Sequence, residues 1–201
     1  MTTTDDSVEI RVGTAGRSFP YMETKVVDAE TGAELGPNMQ GEFCVRGYNI
    51  MKGYYKMEDA TRAAIDPEGW LHTGDLAEVD EAGYYKITGR IKDMIIRAGE
   101  NISPKEVEDV IYKLDGVKDV AVVAAPSYKF GEEVCAVVVA KDGAGLKPED
   151  IQVHVNKNLA KHKVPKYVVF TDQLPLTASG KIQKYKLRDL VKDQLGLEEN
   201  A

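Results

Sequence analysis

The pattern of apolar and polar positions changes character near residue 92. Before it, apolar residues come in short alternating runs broken by glycine. Glu23–Val27, Gly41–Val45 and Tyr84–Thr88 read as strands, because alternation with period two puts one face of each run in a core. Asp80-Glu81-Ala82-Gly83 supplies the turn that joins Leu76–Val79 to Tyr84–Thr88 as a hairpin. One short helix is expected over Glu58–Ile65. The first part therefore reads as antiparallel, barrel-like β structure.

From about Asp93 the period lengthens. Ser103-Pro104-Lys105-Glu106 has the form of a capping box with proline at the first helical position. Val107, Val110, Ile111 and Leu114 follow at helical spacing, and Gly116 stops the run. Val117–Ala125 and Val134–Ala140 are continuous valine-rich runs and predict buried strands. Pro148 opens a helix with Ile151, Val155 and Leu159 on one face. Tyr167–Phe170 predicts a further strand, and Leu187, Leu190, Val191 and Leu195 a closing helix. The expected class is α+β: an antiparallel barrel-like subdomain remnant over 1–91, then a small α+β domain over 92–201. The second is a plausible independent folding size.

Composition narrows the function classes. The net charge of −7 argues against general nucleic-acid binding. No apolar run approaches the roughly 20 residues that span a membrane, and the first six residues are too polar for a signal peptide. Cys44 and Cys135 are isolated, without zinc or CxxC spacing, and the histidines at 72, 154 and 162 are expected to form no cluster with them. The expectation is a cytoplasmic protein whose side chains alone hold no metal. The charge is uneven, however. Nine basic residues lie between Lys157 and Lys192, opposed within that stretch only by Asp172 and Asp189. Such a run is a solvated face or a surface that attracts a polyanion.

Several residues carry candidate chemistry. Lys181 follows Gly180 in a polar loop, as a phosphate-binding lysine would. It is not a P-loop lysine, because Pro175 stands where a first glycine is needed and Ile182 where a hydroxyl is needed. Asp75 follows Gly74, and its carboxylate can accept two hydrogen bonds side by side, as from a ribose diol. Arg90 follows Gly89, and its planar fork suits sugar and phosphate oxygens. Gly99-Glu100-Asn101 forms a polar stretch before the capped helix, where backbone amides could receive an anion.

Four segments in order resemble the AMP-forming acyl-CoA synthetases of the adenylate-forming superfamily. They are Gly41–Tyr54, Trp70–Leu76 with its Thr73-Gly74-Asp75, Gly89–Glu108, and Leu174–Lys184. Arg11–Pro20 is similar to the family's stretch just after its adenine motif, so the chain is expected to be the C-terminal part of a longer enzyme. The wording around residues 97–104 and 179–184 is nearest to fatty-acyl-CoA ligases. The resemblance assigns Lys181 to the reacting carboxylate and α-phosphate, Asp75 to the ribose hydroxyls, Arg90 to ribose or phosphate, and Ile87 to the nucleotide. It places Lys92 at the hinge of a mobile C-terminal lid domain, and Gly99, Glu100 and Asn101 in the loop that faces the pantetheine of CoA. It implies ATP with Mg2+, held mainly by the preceding part of the same chain. CoA is the co-substrate and a small carboxylic acid the substrate. Two alternatives stay open: an adenylation domain that loads a carrier protein, and a non-catalytic module that keeps only the lid.

Overall fold

The computed structural model describes residues 1–197. The chain divides into two compact units, Met1–Lys92 and Asp93 onward.

The first unit is an antiparallel meander of four strands in the order β1-β2-β3-β4. These are β1 (Glu23–Val27), β2 (Gly41–Arg46), β3 (Leu71–Val79) and β4 (Tyr85–Arg90). The sheet is open, with β1 and β4 at its edges, so the barrel-like expectation holds only in its antiparallel pairing. Two helices accompany it. α1 (Val8–Gly13) has no counterpart in the sequence reading and starts where Ser7 Oγ accepts the Ile10 amide at 3.4 Å. α2 (Glu58–Ala64) lies within the expected stretch. The β3–β4 turn forms because Asp80 accepts the amides of Ala82 and Tyr84 at 2.9 and 2.8 Å, and Gly83 takes the left-handed conformation at φ 85°. Val27, Cys44 and Trp70 form the small core. The Trp70 ring carries Lys25 4.2 Å and Arg46 4.5 Å from its centroid.

The second unit begins with a short hairpin, β5 (Ile95–Arg97) and β6 (Glu100–Ile102). There follow α3 (Pro104–Ile111), β7 (Val117–Ser127), β8 (Gly131–Ala140), α4 (Pro148–Asn158), β9 (Tyr167–Phe170) and α5 (Lys184–Leu195). β6, β5, β8 and β7 pair in that order, antiparallel, and β9 adds to β8 in parallel. The valine-rich runs are explained by burial on both faces. Val120, Val122, Val134, Ala136 and Val138 pack with Val107, Ile111, Ile151 and Val155 of α3 and α4. The alternate residues Ala121, Val123, Cys135, Val137 and Val139 pack with Leu187 and Val191 of α5. A continuous apolar run is what a strand needs when neither face is wet.

Two local expectations fail. Ser103 makes no side-chain cap at α3, and Glu106 does not fold back to it; its carboxylate instead accepts from Lys163 Nζ at 2.7 and 2.6 Å. The basic run is also less bare than its local sequence implies. Lys163, Lys166, Lys184 and Arg188 pair with Glu106, Glu133, Glu108 and Asp93, all far away in sequence.

Candidate functional site

The first unit presents Asp75 and Arg90 from neighbouring strands. They are register partners across β3 and β4, and Arg90 Nε donates to Asp75 Oδ1 at 3.0 Å. The turn that presents Asp75 is built locally. Gly74 sits at φ 70°, where side chains are disfavoured. Thr73 Oγ1 donates to the Phe43 carbonyl at 2.6 Å and accepts the Asp75 amide at 3.1 Å. Glu42 Oε1 accepts the Gly74 amide at 3.1 Å. Glu42, Thr73, Gly74, Asp75, Arg90 and Lys92 line an open cleft of about 450 Å³. Ile87 stands further along β4, opposite Ala77, with its apolar side chain exposed. Lys92 is exposed in a single 3₁₀ turn, Ile91–Asp93.

Residues 42, 72 and 73 are the part of this site that sequence reasoning missed. The available signal was that His72 and Thr73 share the Trp70–Leu76 segment with Asp75 and that Glu42 lies in the Gly41–Tyr54 segment; only the strand register brings the two segments together. Cys44 and His72 are cross-strand partners, with Sγ 3.5 Å from Nδ1, so a histidine and a cysteine do meet, against expectation. Glu42 completes a set of donor atoms within 4.8 Å of one another. Its geometry is that of a hydrogen-bonded cluster. His72 Nδ1 lies 2.7 Å from Glu42 Oε2, whereas two ligands about 2.0–2.1 Å from one tetrahedral zinc stand roughly 3.4 Å apart. Burial and the Glu42 charge also push the Cys44 thiol up to about 11, against the thiolate a metal needs.

In the second unit Lys181 sits in a tight loop between β9 and α5. Thr177 and Lys181 exchange hydrogen bonds: the Thr177 amide donates to the Lys181 carbonyl at 2.8 Å, and the Lys181 amide to Thr177 Oγ1 at 3.0 Å. Gly180 supplies the left-handed residue at φ 79°. Gln183 Nε2 closes the loop onto the Leu176 carbonyl at 2.8 Å. At the loop's end, Lys184 Nζ donates to Glu108 Oε1 at 2.7 Å and to the Val122 carbonyl at 3.2 Å, which fixes the start of α5 against α3 and β7. The Lys181 side chain is exposed, and no ion pair among the described residues involves it.

Gly99, Glu100 and Asn101 do not form an open loop. Ala98 and Gly99 are the two left-handed residues of a hairpin turn, at φ 53° and 84°, and Glu100 and Asn101 lie in β6. All three are exposed. The hairpin is held by Arg97, whose Nε donates to the buried Glu133 at 2.6 Å and whose guanidinium lies 4.2 Å from the centre of the Phe130 ring. The Glu133 side chain is only 3% exposed. Arg97→Met leaves that carboxylate with Lys166 at 3.6 Å as its remaining ion-pair partner. Chemical denaturation should show a loss of about 3 kcal/mol, the scale for orphaning a buried charge; a loss under about 0.5 kcal/mol would mean the pair does not hold the hairpin.

The model of the AMP-binding enzyme C-terminal domain matches residues 106–181, and that of the AMP-binding enzyme matches residues 1–55. The chain is 53% identical over 189 residues to the putative acyl-CoA synthetase YngI of Bacillus subtilis, covering 94% of this chain and 34% of that protein. It is 42% identical to the human mitochondrial medium-chain acyl-CoA ligase ACSF2, covering 96% of this chain and 31% of the relative. The crystal structure of ATP-bound MatB from Rhodopseudomonas palustris superposes with a TM-score of 0.87 at 41% identity, covering 90% of this chain and 36% of that one. The chain thus spans about a third of the length of these relatives. No helix among the described residues is long and apolar enough to cross a membrane. Two family matches in order, close relatives and a shared fold lead to one conclusion: the chain belongs to the AMP-binding enzyme family, whose C-terminal domain it carries.

Proposed function

We propose that this chain works as the C-terminal third of an AMP-forming acyl-CoA ligase, acting on a carboxylic acid of the fatty class. The observation that carries the reading is the Asp75–Arg90 pair, set in one cleft by a turn that Thr73 and Glu42 hold. The kinship with proteins named acyl-CoA synthetase and medium-chain acyl-CoA ligase supports it.

In the first step a carboxylate oxygen of the acid attacks the α-phosphorus of ATP, and the bond to pyrophosphate breaks. Negative charge crowds at that phosphorus, and the Lys181 ammonium neutralises it. In the second step the CoA thiolate attacks the acyl carbon, and the carbon–oxygen bond to AMP breaks. Asp75 accepts the ribose hydroxyls, Arg90 holds ribose or phosphate oxygen, and Ile87 offers apolar contact to the nucleotide. Lys92 is the hinge, and the Gly99-Glu100-Asn101 hairpin meets the pantetheine of CoA. The ATP carries Mg2+. Asp75 does not suit that ion, because the Arg90 guanidinium already neutralises it; the ion's ligands belong to the preceding part of the enzyme. Two isolated, buried thiols fit a cytoplasmic setting. Alone, this chain lacks the rest of the nucleotide and acyl sites and should turn over little substrate.

The test uses the complete ligase, meaning this chain joined to the preceding two thirds of such an enzyme. It should form acyl-CoA, AMP and pyrophosphate from fatty acid, ATP and CoA. Asp75→Ala should raise KM for ATP about 10- to 100-fold, the worth of hydrogen bonds to a charged acceptor, and leave KM for the acid nearly unchanged. Release of ADP and phosphate, or an equal rise in both KM values, would overturn the reading.

A further inference from the structure

We infer that Glu42 is a positioning residue for nucleotide selection: it sets the turn that aims Asp75, and so makes the enzyme distinguish a ribose from a deoxyribose. The inference rests on the ribose-binding reading of Asp75.

Gly74 is left-handed, and the strand register is irregular on both sides of it, between Glu42 and Cys44 on β2 and between Leu76 and Ala77 on β3. Ladder bonding is disrupted at such bulges, so a side chain must satisfy the freed amide. Glu42 does so, with Oε1 on the Gly74 amide at 3.1 Å. Its other oxygen faces His72 Nδ1 at 2.7 Å, and His72 Nε2 faces Asp66 Oδ2 at 3.7 Å. Asp66 in turn accepts the amides of Glu68 and Trp70 at 2.9 and 2.8 Å. Both Glu42 oxygens are therefore fixed, and the side chain is only 12% exposed. A carboxylate held at both oxygens and docked on one amide defines the orientation of the next residue, which is Asp75. Glu42 also lines the cleft that Asp75 and Arg90 line.

A residue that only stiffened the sheet would, when lost, lower melting temperature and rate alike for every nucleotide. A positioning residue would change the preference between nucleotides. The measurement is the ratio of kcat/KM for ATP to kcat/KM for 2′-deoxy-ATP in the complete ligase, with thermal melting followed in parallel. The parent enzyme should prefer ATP at least about tenfold, as one lost hydrogen bond to a charged group requires. Glu42→Ala should bring the ratio to within about threefold of unity. Glu42→Gln, whose amide oxygen can still accept from Gly74, should keep most of it. If the alanine variant does not fold, Glu42→Met, similar in length and unable to accept the amide, replaces it. A folded Glu42→Ala or Glu42→Met enzyme with the parent ratio would overturn the inference, as would a Glu42→Gln enzyme that loses the ratio completely. A parent enzyme that does not discriminate, and whose ratio Asp75→Ala leaves untouched, would instead overturn the ribose reading beneath it.

Discussion

Lys181→Ala in the complete ligase should slow acyl-adenylate formation about 10²–10³-fold, the typical cost of losing a preorganised group that stabilises transition-state charge. Thioester formation from supplied acyl-adenylate should stay within about threefold of the parent. The fold gives this substitution an unusually clean interpretation. The hydrogen bonds described in the loop use backbone groups and the side chains of Thr177, Ser179 and Gln183, and none uses the side chain of residue 181. The side chain itself is exposed and supports nothing in the loop. Alanine therefore removes the ammonium and leaves the scaffold, and melting temperature should hardly move. Pyrophosphate release in single turnover measures the first step, and acyl-CoA formed from synthetic acyl-adenylate measures the second. Equal losses in the two would show that the lysine acts on both or on neither.

Lys92→Pro should separate the steps in the opposite sense. Residue 92 lies in the turn where one compact unit ends and the next begins, and it precedes Asp93, which Arg188 of α5 holds at 3.0 Å. A domain that serves two reactions in turn must change backbone angles somewhere, and the joint is the economical place. Proline fixes φ near −65° and removes that freedom. Adenylation should persist, while thioester formation falls by about 100-fold or more, as expected when reacting groups are no longer brought into register. Acyl-adenylate should accumulate on the enzyme and be visible on acid quench. Undiminished acyl-CoA formation by Lys92→Pro would remove residue 92 from the hinge role.

The second unit was more legible in the sequence than the first, for a physical reason. The valine runs at 117–125 and 134–140 could only be strands covered on both faces, and two amphipathic helices and a closing helix stood ready to cover them. The β5–β6 hairpin was not legible. Its strands have three residues each, too few for a period, and its turn places Ala98, a residue without turn preference, in the left-handed region. The capping box was legible and wrong, because Glu106 gains a stronger partner in Lys163, 57 residues away. The same holds for the basic run, whose counter-charges arrive from α3, β8 and the start of the unit. Asp75, Arg90 and Lys181 were singled out because glycine beside a candidate side chain is a local signal. Glu42 and His72 were not singled out, since their role exists only once β2 and β3 are aligned past a bulge.

The single tryptophan of the chain, Trp70, carries two cations against its ring and stands immediately before the strand that holds Asp75. Its fluorescence, excited where tyrosine does not absorb, therefore reports on the first unit alone, and the second unit is silent in tryptophan emission. Denaturation followed at once by emission and by circular dichroism should resolve the melting of the two units without any label.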